Sequence, residues 1–318
     1  MNITFNREGE IFYGMYLIEV MYLLDLIPGY KKAYRNWVSV LYNRIKARKL
    51  SDKWSYKIKV ILRSDGKTLE INPGLVDLYA LLLKNPNIKD IGVEYNEITF
   101  TFENHKLKFI NPWKGDLKSA FGYETYKFLN PKDEVVIDIG ANIGDSPIYF
   151  CVEGAKKVIA LEPYSLNFEL LTENININDC TNKIEPLNAG YGKDGLIKID
   201  ERLPPEASSD LKESKDEKGK LINLYSLKTI LSMFNVKEAV LKMDCEGCEY
   251  NLLNEDSDTI RRFKRIQIEY HYGYEELYNY LKNNNFVVKY TKPMSFYNPH
   301  ASNPNMKTGY IYATRKEN

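Results

Sequence analysis

The sequence predicts an α/β fold in which a largely parallel sheet is wound by helices on both faces. Short apolar runs of strand length alternate with helix-period stretches from about residue 130 onward. The first run, VVIDIG, enters a glycine turn directly, and the second, KVIALE, closes on an acid. On this pattern we expect strands at 134–139, 157–162, 184–188, 239–243, 265–270, 287–290 and 309–314. Helices are expected at 145–151, 166–176, 224–234, 249–254 and 274–284.

Ahead of this alternation, residues 1 to about 110 read as an accessory α+β region, leaving 111–318 as the main domain. Apolar and aromatic residues recur at helical spacing over 11–27, and Pro28–Gly29 should end that helix. A second helix, 31–48, sets Lys31, Lys32, Arg35, Arg44, Lys46 and Arg48 beside Trp37, Val38, Leu41 and Tyr42. Such a face suits either a cap packed on the protein or peripheral contact with an anionic membrane; the cap is the preferred reading. KIKVILRS and TLEINP flank a Ser-Asp-Gly-Lys turn and predict a hairpin, followed by a short helix at 75–83. EITFTF and HKLKFI predict another hairpin, with His105 at its tip as a solvated side chain.

The chain has 318 residues, 44% of them hydrophobic and 27% charged, enough for a sizeable core. A formal net charge of +1 argues against broad nucleic-acid binding. With no membrane-length apolar run and no leader-like N-terminus, a cytoplasmic protein is expected. Cys151, Cys180, Cys245 and Cys248 follow no secreted-framework spacing and are expected as packed, reduced thiols.

Gly140 and Gly144 enclose Ala141, Asn142 and Ile143 at the end of the first strand of the alternation. A pyrophosphate-binding turn would separate its first two glycines by one residue, so this loop disfavours a nicotinamide site. Asp138 and Asn142 suit an ammonium or carboxylate, Gly140 permits close backbone approach, and Glu162 offers two oxygens to the hydroxyls of a ribose. S-adenosylmethionine carries all these groups.

VIDIGANIGDSPIYFCVEGAKKVIALEPYSLNFELLTENININ, followed by LKMDCEGCEYNLL and IQIEYH, resembles the FkbM-type S-adenosylmethionine-dependent methyltransferases over roughly 120–290. The resemblance implies the class I methyltransferase (Rossmann-like) fold, a seven-stranded, mostly parallel sheet whose last strand is antiparallel. It also implies O-methylation of a sugar, glycan, lipid or polyketide-like acceptor. Asp138, Gly140, Asn142 and Gly144 match the family's cofactor loop, Glu162 its ribose-holding acid, and Asn188 a position beside the adenine. Lys242 to Glu249 match its Lys-Ile-Asp-x-Glu-Gly-x-Glu block.

Methyl transfer to an alcohol requires in-line positioning and a group to take the hydroxyl proton. Asp244, Glu246, Glu269 and His271 stand at the ends of the fourth and fifth strands as candidates. His271 leads because imidazole ordinarily titrates near neutrality. The same four side chains could hold a divalent cation. Cys245 and Cys248 lack the second ligand pair of a zinc site. The insert 203–220, the segment FGYETY and the loop 291–307 are expected to form the acceptor pocket, with tyrosines between 270 and 280, Phe296 and Tyr297 available to stack on sugar rings. A nicotinamide oxidoreductase and a non-catalytic binding protein of the same fold are the alternatives.

Overall fold

The computed structural model describes residues 24–47, 56–201, 219–297 and 303–317. They fall into two compact units: residues up to Thr125 with Asn176–Asn178, and Tyr126–Ile175 with Asp179–Asn318. The helix expected over 11–27 lies largely outside the described residues, as do most of the insert 203–220 and the centre of the loop 291–307.

In the first unit helical backbone runs from 24 to 33, straight through Pro28 and Gly29. The expected break is overridden by packing. A Cβ at Gly29 would sit on the Ala80 carbonyl of helix α2, Pro73–Leu82. Glycine therefore permits the close approach that lets the Tyr34 hydroxyl donate to Val76 O at 2.9 Å. Helix α1, Trp37–Ala47, follows, and its Arg44 meets the buried Asp77 at 2.7 Å. Strands β1, Ile58–Ile61, and β2, Thr68–Ile71, form the first expected hairpin. Strands β3, Ile88–Val93, β4, Glu97–Phe102, and β5, His105–Ile110, form an antiparallel sheet, with His105 exposed at the tip. Among the described residues no helix is long and apolar enough to cross a membrane.

The second unit is built on a mixed sheet. Its strands are β6, Val135–Ile139; β7, Lys157–Leu161; β8, Ile184–Leu187; β12, Ala239–Met243; β13, Phe263–Tyr270; β14, Phe286–Tyr290; and β16, Asn305–Arg315. They lie in the order β14-β16-β13-β12-β6-β7-β8. Strands β8, β7, β6, β12 and β13 are parallel neighbours, and β16, the last in the chain, runs antiparallel to β13 and β14. Strand β15, Met294–Tyr297, adds to β16, so the described sheet has eight strands, and part of the expected long loop is a hairpin arm. Crossovers use helices α3, Asp145–Val152, and α4, Ser165–Ile177; later come α5, Leu227–Met233, α6, Ser257–Ile260, and α7, Glu275–Asn283. A side sheet of β10, Gly195–Ile199, β11, Lys220–Tyr225, and β9, Ala189–Tyr191, was not legible as strands beforehand.

The central strands are apolar because both faces are covered: all five residues of β12 are buried, as are four of the five in β6 and in β7. The cysteines differ from expectation. Cys151 is bonded to Cys180, and Cys245 to Cys248. The fold brings the first pair to a Cα separation of 6.3 Å across 29 residues, a proximity that linear spacing does not display.

Candidate active site

The parallel register sets Lys242 of β12 directly opposite Asp138 of β6. A charge in the middle of a strand buried on both faces demands a partner. Lys242 Nζ lies 3.0 Å from Asp138 Oδ1 and donates to the Gly140 carbonyl at 2.6 Å. Ser146 Oγ donates to Asp138 Oδ2 at 2.7 Å. Burial pushes the Asp138 carboxyl up and pulls the Lys242 ammonium down, but Asp138, Asp244 and Asp145 together carry Lys242 upward. Three carboxylates around one ammonium favour the charged pair. Asp138 is thus 0% exposed and engaged beneath the loop. The direct contact with a ligand ammonium read from the sequence gives way to a supporting role.

Above this pair the chain turns sharply. Gly140, Asn142 and Gly144 have φ of 81°, 47° and 98°. Gly140 is required by protein rather than by ligand, since a Cβ there would sit on the Asp244 carbonyl. Gly140 and Ala141 N–H both donate to Leu161 O, at 3.1 and 2.9 Å. Asn142 N–H donates to Glu162 Oε2 at 2.9 Å and Tyr164 N–H to Oε1 at 3.0 Å. The Asn167 side chain bonds the same carboxylate, which keeps some of its lone-pair capacity free. Burial pushes Glu162 up to about 7, against these two N–H donors and Lys242. Asn188 closes the turn by donating to the carbonyls of Glu162 and Pro163, each at 3.0 Å.

The second half of the site starts where β12 ends. Asp244 N–H donates to Ile139 O at 3.1 Å, which seats the following loop against the glycine turn. Glu246 and Gly247 take φ of 59° and 127°, and a 3-10 segment, Cys248–Asn254, follows. Glu249 is 0% exposed and ties three groups together. Its Oε1 accepts from the backbone N–H of His271 and faces that ring's Nδ1, each at 2.9 Å, while Oε2 accepts from Gly247 N–H at 2.8 Å. On the other ring nitrogen, Nε2 is 3.3 Å from Glu246 Oε2. Burial pulls the His271 imidazole down, but Glu249, Glu246 and Asp244 outweigh it and hold it up to about 10. A protonated ring flanked by carboxylates is not a ready base, which corrects the preference for His271. The carboxylates are the better acceptors.

Ligand atoms of Asp244, Glu246 and His271 lie within 4.8 Å of one another, a spacing that can hold a cation. Glu269 is not among these three; it pairs in register with Tyr310 and lies near Tyr312, whose hydroxyl its charge pushes up after burial has done so. Beside the loop is a cavity of about 550 Å³, whose walls include Gly192, Lys193, Leu224, Gly247, Cys248 and Tyr272, with Asn303 from the expected pocket loop. Much of the aromatic cluster packs on itself instead: Tyr274 stacks on Tyr290 with ring centroids 3.8 Å apart. Lys242 and Glu249 were matched in the sequence only as the ends of the acidic block, with no role given to either, and Ser146 was not singled out. The isolated lysine in VLKMD was the available signal for the first.

Residues 138–288 match the family model described as "Methyltransferase FkbM domain". The chain carries an FkbM methyltransferase domain. The candidate cofactor-binding and catalytic residues, from Asp138 to His271, fall within it, whereas Asn303 of the cavity wall lies beyond it. The sequence matches none of the curated proteins with which it was compared. Among solved structures, the fold resembles that of M. jannaschii TYW2 in complex with AdoMet (16% identity, 73% of this chain and 92% of that chain, TM-score 0.37). It also resembles precorrin-6y C5,15-methyltransferase from Geobacter metallireducens (12%, 61% and 87%, 0.35) and a putative RNA methyltransferase from Pyrococcus horikoshii (13%, 62% and 80%, 0.35). The FkbM domain therefore accounts for both loops, while the residues before 138 lie outside the match.

Proposed function

We propose that the FkbM domain transfers a methyl group from S-adenosylmethionine to a hydroxyl of a sugar, glycan, glycolipid or related metabolite. The observation that carries this reading is the seating of the acidic loop directly on the glycine turn, with Asp244 O where a Cβ of Gly140 would be. Cofactor-binding groups and proton-accepting groups thereby share one rim.

The residues fit this cofactor. Glu162 accepts from two backbone N–H groups and from the Asn167 side chain, and the remaining lone-pair capacity of its carboxylate is what a ribose hydroxyl would use. The positive-φ turn at Gly140, Asn142 and Gly144 gives the methionine end a concave backbone to lie against. Bound S-adenosylmethionine supplies an already activated methyl group, so the protein's tasks are alignment, exclusion of water and removal of one proton. Asp244 and Glu246 are placed to take that proton from the acceptor hydroxyl. His271, charged between Glu246 and Glu249, fixes the direction in which Glu246 points.

Calorimetry with S-adenosylhomocysteine tests the reading: the full chain binds it, Glu162→Gln weakens it at least about tenfold, and Glu246→Gln leaves it unchanged. Absence of binding by the full chain would remove the proposal. A metal-assisted variant rests on the convergence of Asp244, Glu246 and His271. It requires a cation to displace the His271 proton, and unchanged turnover after thorough chelation would exclude it. For helix α1, the exposed Val38, Tyr42 and Ile45 support peripheral membrane contact as a second role, checked by sedimentation with anionic vesicles.

A further inference from the structure

We propose that the Cys245–Cys248 disulfide is a thiol-exchange site that sets the geometry of the acidic loop, so that a dithiol reductant loosens the site and reoxidation restores it. The inference rests on the loop's part in the proposed transfer.

The bond spans the two residues that matter most for the loop's shape. Glu246 and Gly247 lie inside the Cys-x-x-Cys ring, and Glu246 holds φ 59°, a region that glutamate seldom adopts. That conformation places its carboxylate 3.3 Å from His271 Nε2. With the ring opened, Glu246 can return to an ordinary backbone conformation and withdraw from the imidazole. Cys245 Sγ is 3.7 Å from Glu249 Oε2, the oxygen that accepts from Gly247 N–H at 2.8 Å. In the disulfide this sulfur has no proton. As a thiol it becomes a second donor to the same oxygen and competes with the bond that holds the loop. The Cα of Cys245 also lies against Gly140, so movement there reaches the cofactor turn.

Access favours this pair over the other. Cys248 lines the 550 Å³ cavity and Cys245 is half-buried, whereas Cys151 and Cys180 are both buried, at 6% and 2% exposed. In the exchange, a thiolate of the dithiol attacks Cys248 Sγ, the sulfur–sulfur bond breaks, and Cys245 leaves as a thiolate that takes up a proton. The second thiol of the reductant resolves the mixed disulfide. Two electrons and two protons reach the cysteine pair, and the reductant leaves as its own disulfide.

The test uses the full chain, graded dithiothreitol, alkylation read by mass spectrometry, and histidine-labelled NMR. Labelling is expected at Cys245 and Cys248 while Cys151–Cys180 remains bonded, and the His271 ring signal shifts with the same midpoint while that of His105 does not. Affinity for S-adenosylhomocysteine falls about tenfold across that midpoint, equivalent to about 1.4 kcal/mol. The double variant Cys245→Ser/Cys248→Ser shows the shifted His271 signal without reductant, and Cys151→Ala/Cys180→Ala keeps the response. The proposal is overturned if Cys245 and Cys248 become labelled with the His271 signal unmoved, or only as the whole protein unfolds. Failure of the oxidised protein to bind S-adenosylhomocysteine would instead defeat the methyl-transfer reading, with labelling and NMR still deciding the switch.

Discussion

The glycine turn and the acidic loop meet at one point, yet they are held by opposite means. The turn is fixed by backbone: its N–H groups end on Leu161 O and on the Glu162 carboxylate, and a fully buried ion pair supports it from below. The acidic loop is fixed by side chains, through Glu249, His271 and a sulfur–sulfur bond, and the Glu246 side chain remains 44% exposed. A surface that must recognise one invariant cofactor gains from a rigid frame, because preorganisation lowers the ordering cost of binding. In the proposed transfer, a rim that receives the acceptor and takes its proton gains from side chains that can be repositioned.

The sharpest way to break this comparison is to strike the point where the halves touch. Gly140→Ala places a methyl group against the Asp244 carbonyl at φ 81°, and the atoms it meets there are backbone. A loss above about 4 kcal/mol is expected, with failure to bind S-adenosylhomocysteine. Gly144→Ala, where the added carbon meets the movable Leu171 side chain at 3.1 Å, should cost only about 1–3 kcal/mol for its backbone strain. Equal melting temperatures for the two variants would show that the loops do not depend on that contact. Next, Lys242→Met strands the Asp138 carboxylate in the core and should cost about 3–5 kcal/mol in denaturant unfolding. The double variant with Asp138→Asn should recover much of it. Failure to recover would mean that the Lys242 bond to Gly140 O, not the ion pair, carries the turn.

Legibility in the sequence followed the same divide. The β6-turn-α3 and β7 segments were readable because local pattern determines them: a buried strand, glycines and a terminal acid. What Gly140 and Asp138 do was not readable, since their partners, Asp244 O and Lys242, lie about a hundred residues away and are supplied only by parallel pairing of β6 with β12. The acidic loop was recognisable as a block, but the environment of His271 was not. Two carboxylates close on it from the preceding crossover, and they reverse the protonation that its ordinary titration range suggests. Pro28–Gly29 misled for a related reason: a local breaker was overruled by a glycine fitted against α2.

Within the acidic loop, Glu246→Gln separates chemistry from binding. Its side chain is partly exposed, so stability should change by less than about 0.5 kcal/mol. Methyl transfer, followed with labelled cofactor on an identified acceptor, should fall by about a hundredfold if the carboxylate takes the proton. An unchanged rate would move that role to Asp244.

The smallest effect tests the rigid half through a proton. Glu162 ordinarily ionises near 4.5, but burial moves it to about 7 in the folded chain. Between those values the unfolded chain has released a proton that the native chain keeps. The contribution of this residue to stability therefore falls as pH rises through that window. Ribose hydroxyls favour the ionised carboxylate, so ligand binding should pull the proton off. Affinity for S-adenosylhomocysteine should rise about tenfold between roughly pH 6 and pH 8. Near the lower end, calorimetry in buffers of different ionisation enthalpy should show close to one proton released per ligand bound. Glu162→Gln should flatten the profile. A flat profile in the unaltered protein would mean that the ribose is held elsewhere, and that the buried carboxylate serves only to tie Asn142 and Tyr164 into the turn.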